Sequence, residues 1–200
     1  MNFLAHAYLS FRQPEILAGN MISDFVKGKS RFDYPEGIQK GIMLHRAIDT
    51  FTDNHPLNSE AKKIFRPAVG LYAGAFLDVA YDHFLAIDQI AFPGESLPVF
   101  SQWVYSTLEK FELNFPERFA VVFPYMKNHD WLYNYRQRQG IQRSMEGLVR
   151  RAKFLDDSTG VFYLFGEHYE KLEKYYQAFF PELLLFVNNY YQKLLTTGKD

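Results

Sequence analysis

The chain has 200 residues, 48% hydrophobic and 18% aromatic, with 22 Lys+Arg against 23 Asp+Glu and a formal net charge of -1. That is enough apolar material for one sizeable core, too much for a disordered chain, and too balanced in charge for a global attraction to nucleic acid or anionic lipid. The absence of cysteine excludes disulfides, iron–sulfur clusters, thiolate zinc sites and a Cys nucleophile, so any metal must be held by nitrogen and oxygen.

Apolar residues recur with helical rather than alternating spacing, and prolines fall where helices begin or end, which predicts an all-α, single-domain helical bundle. The opening Met1-Asn2-Phe3-Leu4-Ala5-His6 has no basic run ahead of its apolar residues, and no later stretch approaches the ~20 apolar residues of a bilayer span, so a cytoplasmic protein is expected. Pro14 opens a short helix over 14–25, with Gly28 beyond its end. Asp33 and Glu36 around Pro35 suggest a capping box for a helix reaching about residue 51, and Pro56 stops simple continuation. A third helix is expected from Pro67 to about residue 86, followed by a turn-rich break at 91–97. Further helices are expected over 98–112, 116–131, 141–157, 161–179 and 181–195. No repeat, low-complexity tract or linker divides the chain. The five-residue apolar run at 183–187 is followed by Asn188, Asn189, Gln192 and Lys193, which reads as a packed C-terminal helix. The aromatics of 162–165 and 175–180 read as core, since no basic, glycine-punctuated strand accompanies them.

The informative stretch runs from Tyr72 to Ile87. A helix apolar on nearly every side is expected to be buried, and Asp78, Asp82 and His83 are its charged or ionisable exceptions besides two tyrosines. Asp78 and Asp82, four residues apart, share one inward stripe. Two carboxylates there repel each other and resist desolvation unless a cation, a shared proton or a buried arginine compensates them. The preceding helix repeats the pattern, with Ile38, Ile42, His45 and Asp49 on one face, so that imidazole and carboxylate project together as ligands of one ion. Asp49 also lies near a helix C-terminus, where the macrodipole disfavours an anion. Asp24, at the end of a mostly apolar helix, and His6, between Leu4 and Tyr8, are further candidates. His55, His129 and His168 have no comparable constellation.

At these residues the chain resembles the acyl carrier protein phosphodiesterase family, also called acyl carrier protein hydrolase, in MNFLAHAYLS, GNMISDFVKG, GIMLHRAIDTFTDNHP and LDVAYDHFLA, with weaker likeness in DWLYNYRQRQGI and RRAKF. The resemblance implies an HD-domain-like helical fold, regarded as a divergent HD-type phosphohydrolase. It also implies a manganese- or magnesium-dependent hydrolase that removes 4'-phosphopantetheine from holo-acyl carrier protein and returns the apo form. HD enzymes are named for a His followed directly by Asp, whereas here Asp82 precedes His83, so ligand roles do not transfer one for one. The set carried over is Asp24, His45, Asp49, Asp78, Asp82 and His83, with His6 added from the reading of the residues.

Hard oxygen ligands with imidazole suit Mn²⁺ or Mg²⁺, and a divalent cation suits phosphodiester hydrolysis. One carboxylate among Asp24, Asp78 and Asp82 is a candidate general base, and Lys27 and Arg46 are candidates to hold the phosphate. Carrier proteins of this class are acidic. The basic segment Arg136, Arg138, Arg143, Arg150, Arg151 and Lys153, opposed only by Glu146, is therefore the candidate docking face, and nucleic acid or membrane partners are not expected. Alternatives are a phosphohydrolase of a small phosphorylated metabolite or nucleotide, a zinc-dependent lipase-like hydrolase, and a non-enzymatic helical module in which Arg46 and Arg66 neutralise the acids.

Overall fold

The computed structural model describes residues 1–92, 95–152, 154–155 and 159–196, and among them the regular structure is helical, without strands. In chain order the α-helices are α1 Phe3–Tyr8, α2 Pro14–Ile22, α3 Glu36–Asn54, α4 Pro56–Val69, α5 Ala73–Ile87, α6 Leu97–Glu109, α7 Glu117–Asn128, α8 Trp131–Asn134, α9 Arg138–Arg151, α10 Thr159–Glu167 and α11 Tyr169–Thr196. No described helix is long and apolar enough to cross a membrane.

Helix α5 lies at the centre, packed by α1, α4, α9 and α11. Its sequence requires this: Phe76, Leu77, Val79, Ala80, Tyr81, Phe84 and Leu85 are all buried, and apolar residues distributed around the whole circumference need neighbours on every side. Helices α2 and α3 cross at Gly19 and Gly41. A β-carbon on Gly19 would lie 2.1 Å from the Ile38 carbonyl oxygen, and one on Gly41 would lie 2.4 Å from that of Ile16, so this crossing tolerates no side chain at either position.

The prolines depart from expectation. Pro56 opens α4, at a position where its missing N–H is one of the unpaired donors in any case. Pro67 lies inside that helix and starts nothing. Helix α4 ends at Gly70, whose φ of +54° suits glycine, and a 3-10 turn over Gly70–Tyr72 leads into α5. Pro181 likewise lies inside the 28-residue α11. Burial of Phe179, Phe180, Leu183 and Val187 around it outweighs the ~3 kcal/mol an interior proline costs. The expected capping box is absent: Asp33 belongs to a 3-10 segment over Gly28–Asp33, and Pro35 caps α3 without a side-chain hydrogen bond. Helix α1, six residues long, was not foreseen from periodicity and is too short to form alone. Pro93 and Gly94 of the expected 91–97 break lie outside the described residues.

Candidate metal centre

Helix α2 ends early, and that places the first group. Its last carbonyls have no partner within the helix, and the one on Asn20 turns to His45, whose Nδ1–H donates to it at 2.8 Å. The Asn20 side chain serves the second imidazole. Its amide nitrogen donates to the His6 carbonyl at 2.9 Å and to Ser10 Oγ at 3.1 Å, so its Oδ1 faces His6 Nδ1 at 2.8 Å and accepts Nδ1–H. Both histidines therefore carry a proton on Nδ1 and turn Nε2 to the opposite side. The rings stack at 3.9 Å between centroids and 12° between planes, which brings the two Nε2 atoms to the same place.

Asp49 occupies that place. His45 Nε2 lies 3.0 Å from its Oδ2 and His6 Nε2 lies 3.3 Å from its Oδ1. His6, His45 and Asp49 together offer three ligand atoms within 4.8 Å of one another. His6 Nε2 is buried and has no hydrogen-bond partner. Burial, followed by the positive charge of His45, lowers the His6 pKa to about 4, so at neutral pH a bare nitrogen lone pair faces a carboxylate. Two electron-rich atoms at that distance call for a cation between them. The residues present therefore fit a divalent metal with nitrogen and oxygen preference.

Without a metal, His45 shows how strongly the site attracts positive charge. Burial opposes its protonation, yet the hydrogen bonds it donates to Asp24 and Asp49 hold its pKa up at about 9. The proton on Nε2 stands where a cation would sit. Asp49 is likewise desolvated, but His45 beside it holds its carboxyl well below the usual range. Its side chain is 38% exposed, so the centre opens to solvent. Asp24, on the 3-10 turn Ser23–Phe25, lies 3.1 Å from His45 Nε2 and is largely exposed; the same contact lowers its pKa.

A family model described as acyl carrier protein phosphodiesterase matches residues 1–183. Curated relatives named acyl carrier protein phosphodiesterase include one from Enterobacter sp. (strain 638), 36% identical over 191 residues, covering 94% of this chain and 98% of the relative. Another, from Yersinia pestis, is 36% identical over 186 residues, covering 92% and 96%, and one from Salmonella paratyphi A is 35% identical over the same span. The chain belongs to the acyl carrier protein phosphodiesterase family. No solved structure matches it.

In this phosphodiesterase-family chain, the remaining sequence-predicted residues separate. Asp78 stands one group away from the centre: the N-terminal ammonium of Met1 lies 3.2 Å from its Oδ1 and 3.4 Å from Asp49 Oδ1. Burial works against that ammonium, but Asp78, Asp49 and Asp82 outweigh it and keep its pKa at about 10. Asp82 and His83, expected among the ligands, are engaged elsewhere. Asp82 is fully buried and accepts the backbone N–H of Leu4 at 2.7 Å and of Ala5 at 3.1 Å, capping α1 from across the core. Burial pushes its carboxyl up to about 7, against the pull of those two donors. His83 Nδ1–H donates to the Tyr135 carbonyl at 2.7 Å, and the Tyr169 hydroxyl lies 2.8 Å from its Nε2. Each Asp82 oxygen thus accepts a backbone N–H and both His83 nitrogens meet protein groups, so neither residue joins the cluster of His6, His45 and Asp49.

Arg46 donates to the Val26 carbonyl at 3.2 Å and lines a groove of about 720 Å³ with Arg31, Phe51 and Phe186, while Lys27 is exposed. Arg143, Arg150 and Arg151 border a cavity of about 600 Å³ whose walls include Phe3, Val79, Val122 and Trp131. Arg136 and Arg138 are exposed, lying over the rings of Tyr133 and Phe162. Lys153 lies outside the described residues. Asn20 was missed at the level of sequence, although a polar residue inside Ala18-Gly19-Asn20-Met21-Ile22 gives the same signal that singled out Asp78 and Asp82.

Proposed function

We propose that this chain is a divalent-metal-dependent phosphodiesterase that removes 4'-phosphopantetheine from holo-acyl carrier protein, with Mn²⁺ as the working metal. The observation that carries the reading is the convergence of two imidazole Nε2 atoms and the Asp49 carboxylate, one nitrogen being buried without a partner, in a chain of this family. The helical presentation of His45 and Asp49 supports a divergent HD-type centre. A substrate of this kind supports a role in fatty-acid metabolism and a cytoplasmic location.

His6, His45 and Asp49 would hold the metal, with Asp24 beside His45 as a fourth ligand or as the base. When bound, the metal neutralises charge on the phosphoryl oxygens and lowers the pKa of water. Hydrolysis breaks the bond between phosphorus and the carrier serine oxygen; water supplies the oxygen that phosphorus gains and the proton that the serine oxygen takes. Asp24, 3.1 Å from His45 Nε2 and open to solvent, is placed to accept the proton of the attacking water. Arg46, next to His45 on α3, and Lys27, in the link after the turn that carries Asp24, supply cations for the phosphate. Arg143, Arg150 and Arg151 border the face that would receive the acidic carrier.

Incubation of the purified protein with holo-acyl carrier protein and Mn²⁺, followed by mass spectrometry of the carrier, tests this. Loss of the prosthetic arm with Mn²⁺ and its retention with a chelator are expected. An intact arm under both conditions, or hydrolysis of a free nucleotide in its place, overturns the assignment. Docking by charge further predicts that carrier affinity falls steeply with salt and on reversing Arg150 and Arg151 to Glu.

A further inference from the structure

A single residue determines how both histidines of the centre are presented. Asn20 is fully buried, and its two oxygens accept Nδ1–H from different imidazoles: the side-chain Oδ1 from His6 on α1, the backbone carbonyl from His45 on α3. The side-chain amide cannot turn over without placing its oxygen against the His6 carbonyl, and its NH₂ group is fixed by that carbonyl and by Ser10 Oγ. Ser10 Oγ itself donates to the His6 carbonyl at 2.8 Å, which leaves its lone pair for Asn20. The backbone contact is available because α2 stops at Ile22, and it is short because Gly19 and Gly41 let α2 and α3 approach. A ring whose Nδ1–H is fixed in this way has one tautomer and one orientation, and such outer contacts are worth about 10–100-fold in metal affinity.

We propose that Asn20 is the positioning residue of the metal centre: it sets the Nδ1–H tautomer of His6 with its side chain and of His45 with its backbone, so that both Nε2 atoms face Asp49. This rests on the reading of His6, His45 and Asp49 as ligands. Substitution of the side chain reaches His6 alone, since the carbonyl to His45 remains in any variant.

The test uses ¹⁵N-histidine NMR of the metal-free chain together with calorimetry for Mn²⁺ and the visible spectrum with Co²⁺. In the wild type, His6 is expected as the Nδ1–H tautomer; an Nε2–H tautomer overturns the proposal without any variant. Asn20→Ala is expected to lose that tautomer bias, weaken Mn²⁺ about 10–100-fold and alter the Co²⁺ spectrum, with His45 unchanged. Asn20→Asp keeps an acceptor for Nδ1–H and loses both donors, so it is expected to retain the tautomer and bind Mn²⁺ within a few-fold of wild type while melting lower. If Asn20→Ala melts lower but keeps the wild-type tautomer, Mn²⁺ affinity and Co²⁺ spectrum, Asn20 is structural only and the proposal fails. A wild type that shows the tautomer but binds no Mn²⁺ overturns the metal reading instead, and the two failures are distinct.

Discussion

Helices α3 and α5 each carry a histidine and a carboxylate on an inward face, and in sequence the two pairs look alike. In the fold they do opposite things. The α5 pair is fully satisfied by the protein: Asp82 takes two amide hydrogens of α1, and His83 links the Tyr135 carbonyl to the Tyr169 hydroxyl. The α3 pair meets a second imidazole and an exposed aspartate, and leaves His6 Nε2 beside the Asp49 carboxylate without a hydrogen bond. Burial of a polar group marks a place that needs compensation; what compensates it decides between structure and chemistry.

The largest expected difference comes from removing Asp49. Asp49→Ala should abolish Mn²⁺ binding in calorimetry and reduce carrier hydrolysis to the level of the chelated control, while the helical circular dichroism persists. Wild-type Mn²⁺ affinity in that variant would erase the contrast between the two helices. Asp82→Ala should act on the fold instead. Leaving the Leu4 and Ala5 amides buried without an acceptor costs on the order of 2 kcal/mol, which for a chain of this size lowers the Tm of the metal-free protein by roughly 4–8 °C. A variant that melts normally yet fails to bind Mn²⁺ would return Asp82 to the ligands. The smallest effect concerns pH. Burial holds His83 below its ordinary value of 6.5, so as pH falls below about 6.5 the unfolded chain takes up a proton that the fold resists, and stability declines until the folded pKa is passed. In His83→Gln, urea denaturation at pH 5 and 7.5 should show a smaller loss on acidification than in the wild type; an unchanged loss would remove His83 from the acid response.

The sequence made the α3 pair legible because both of its members lie on one long helix, where spacing alone sets direction. It also marked α5 as buried. What Asp82 meets there was not legible, because its partners are amides of a six-residue helix with no periodicity to read. His6 and Asn20 come from segments adjacent only through folding, and the stacking of His6 on His45 depends on where α1 settles. The proline errors have a similar origin: packing of α11 against α3, α4 and α5 overrides a local breaker at Pro181.

The α2–α3 crossing at Gly19 and Gly41 gives the centre its dimensions. Main chain rests directly on main chain there, so the separation of the α2 and α3 backbones is set by no side chain that could be trimmed or lengthened. Descendants of this fold can retune reactivity by exchanging the groups that point inward, but the gauge between the two helices is not theirs to adjust.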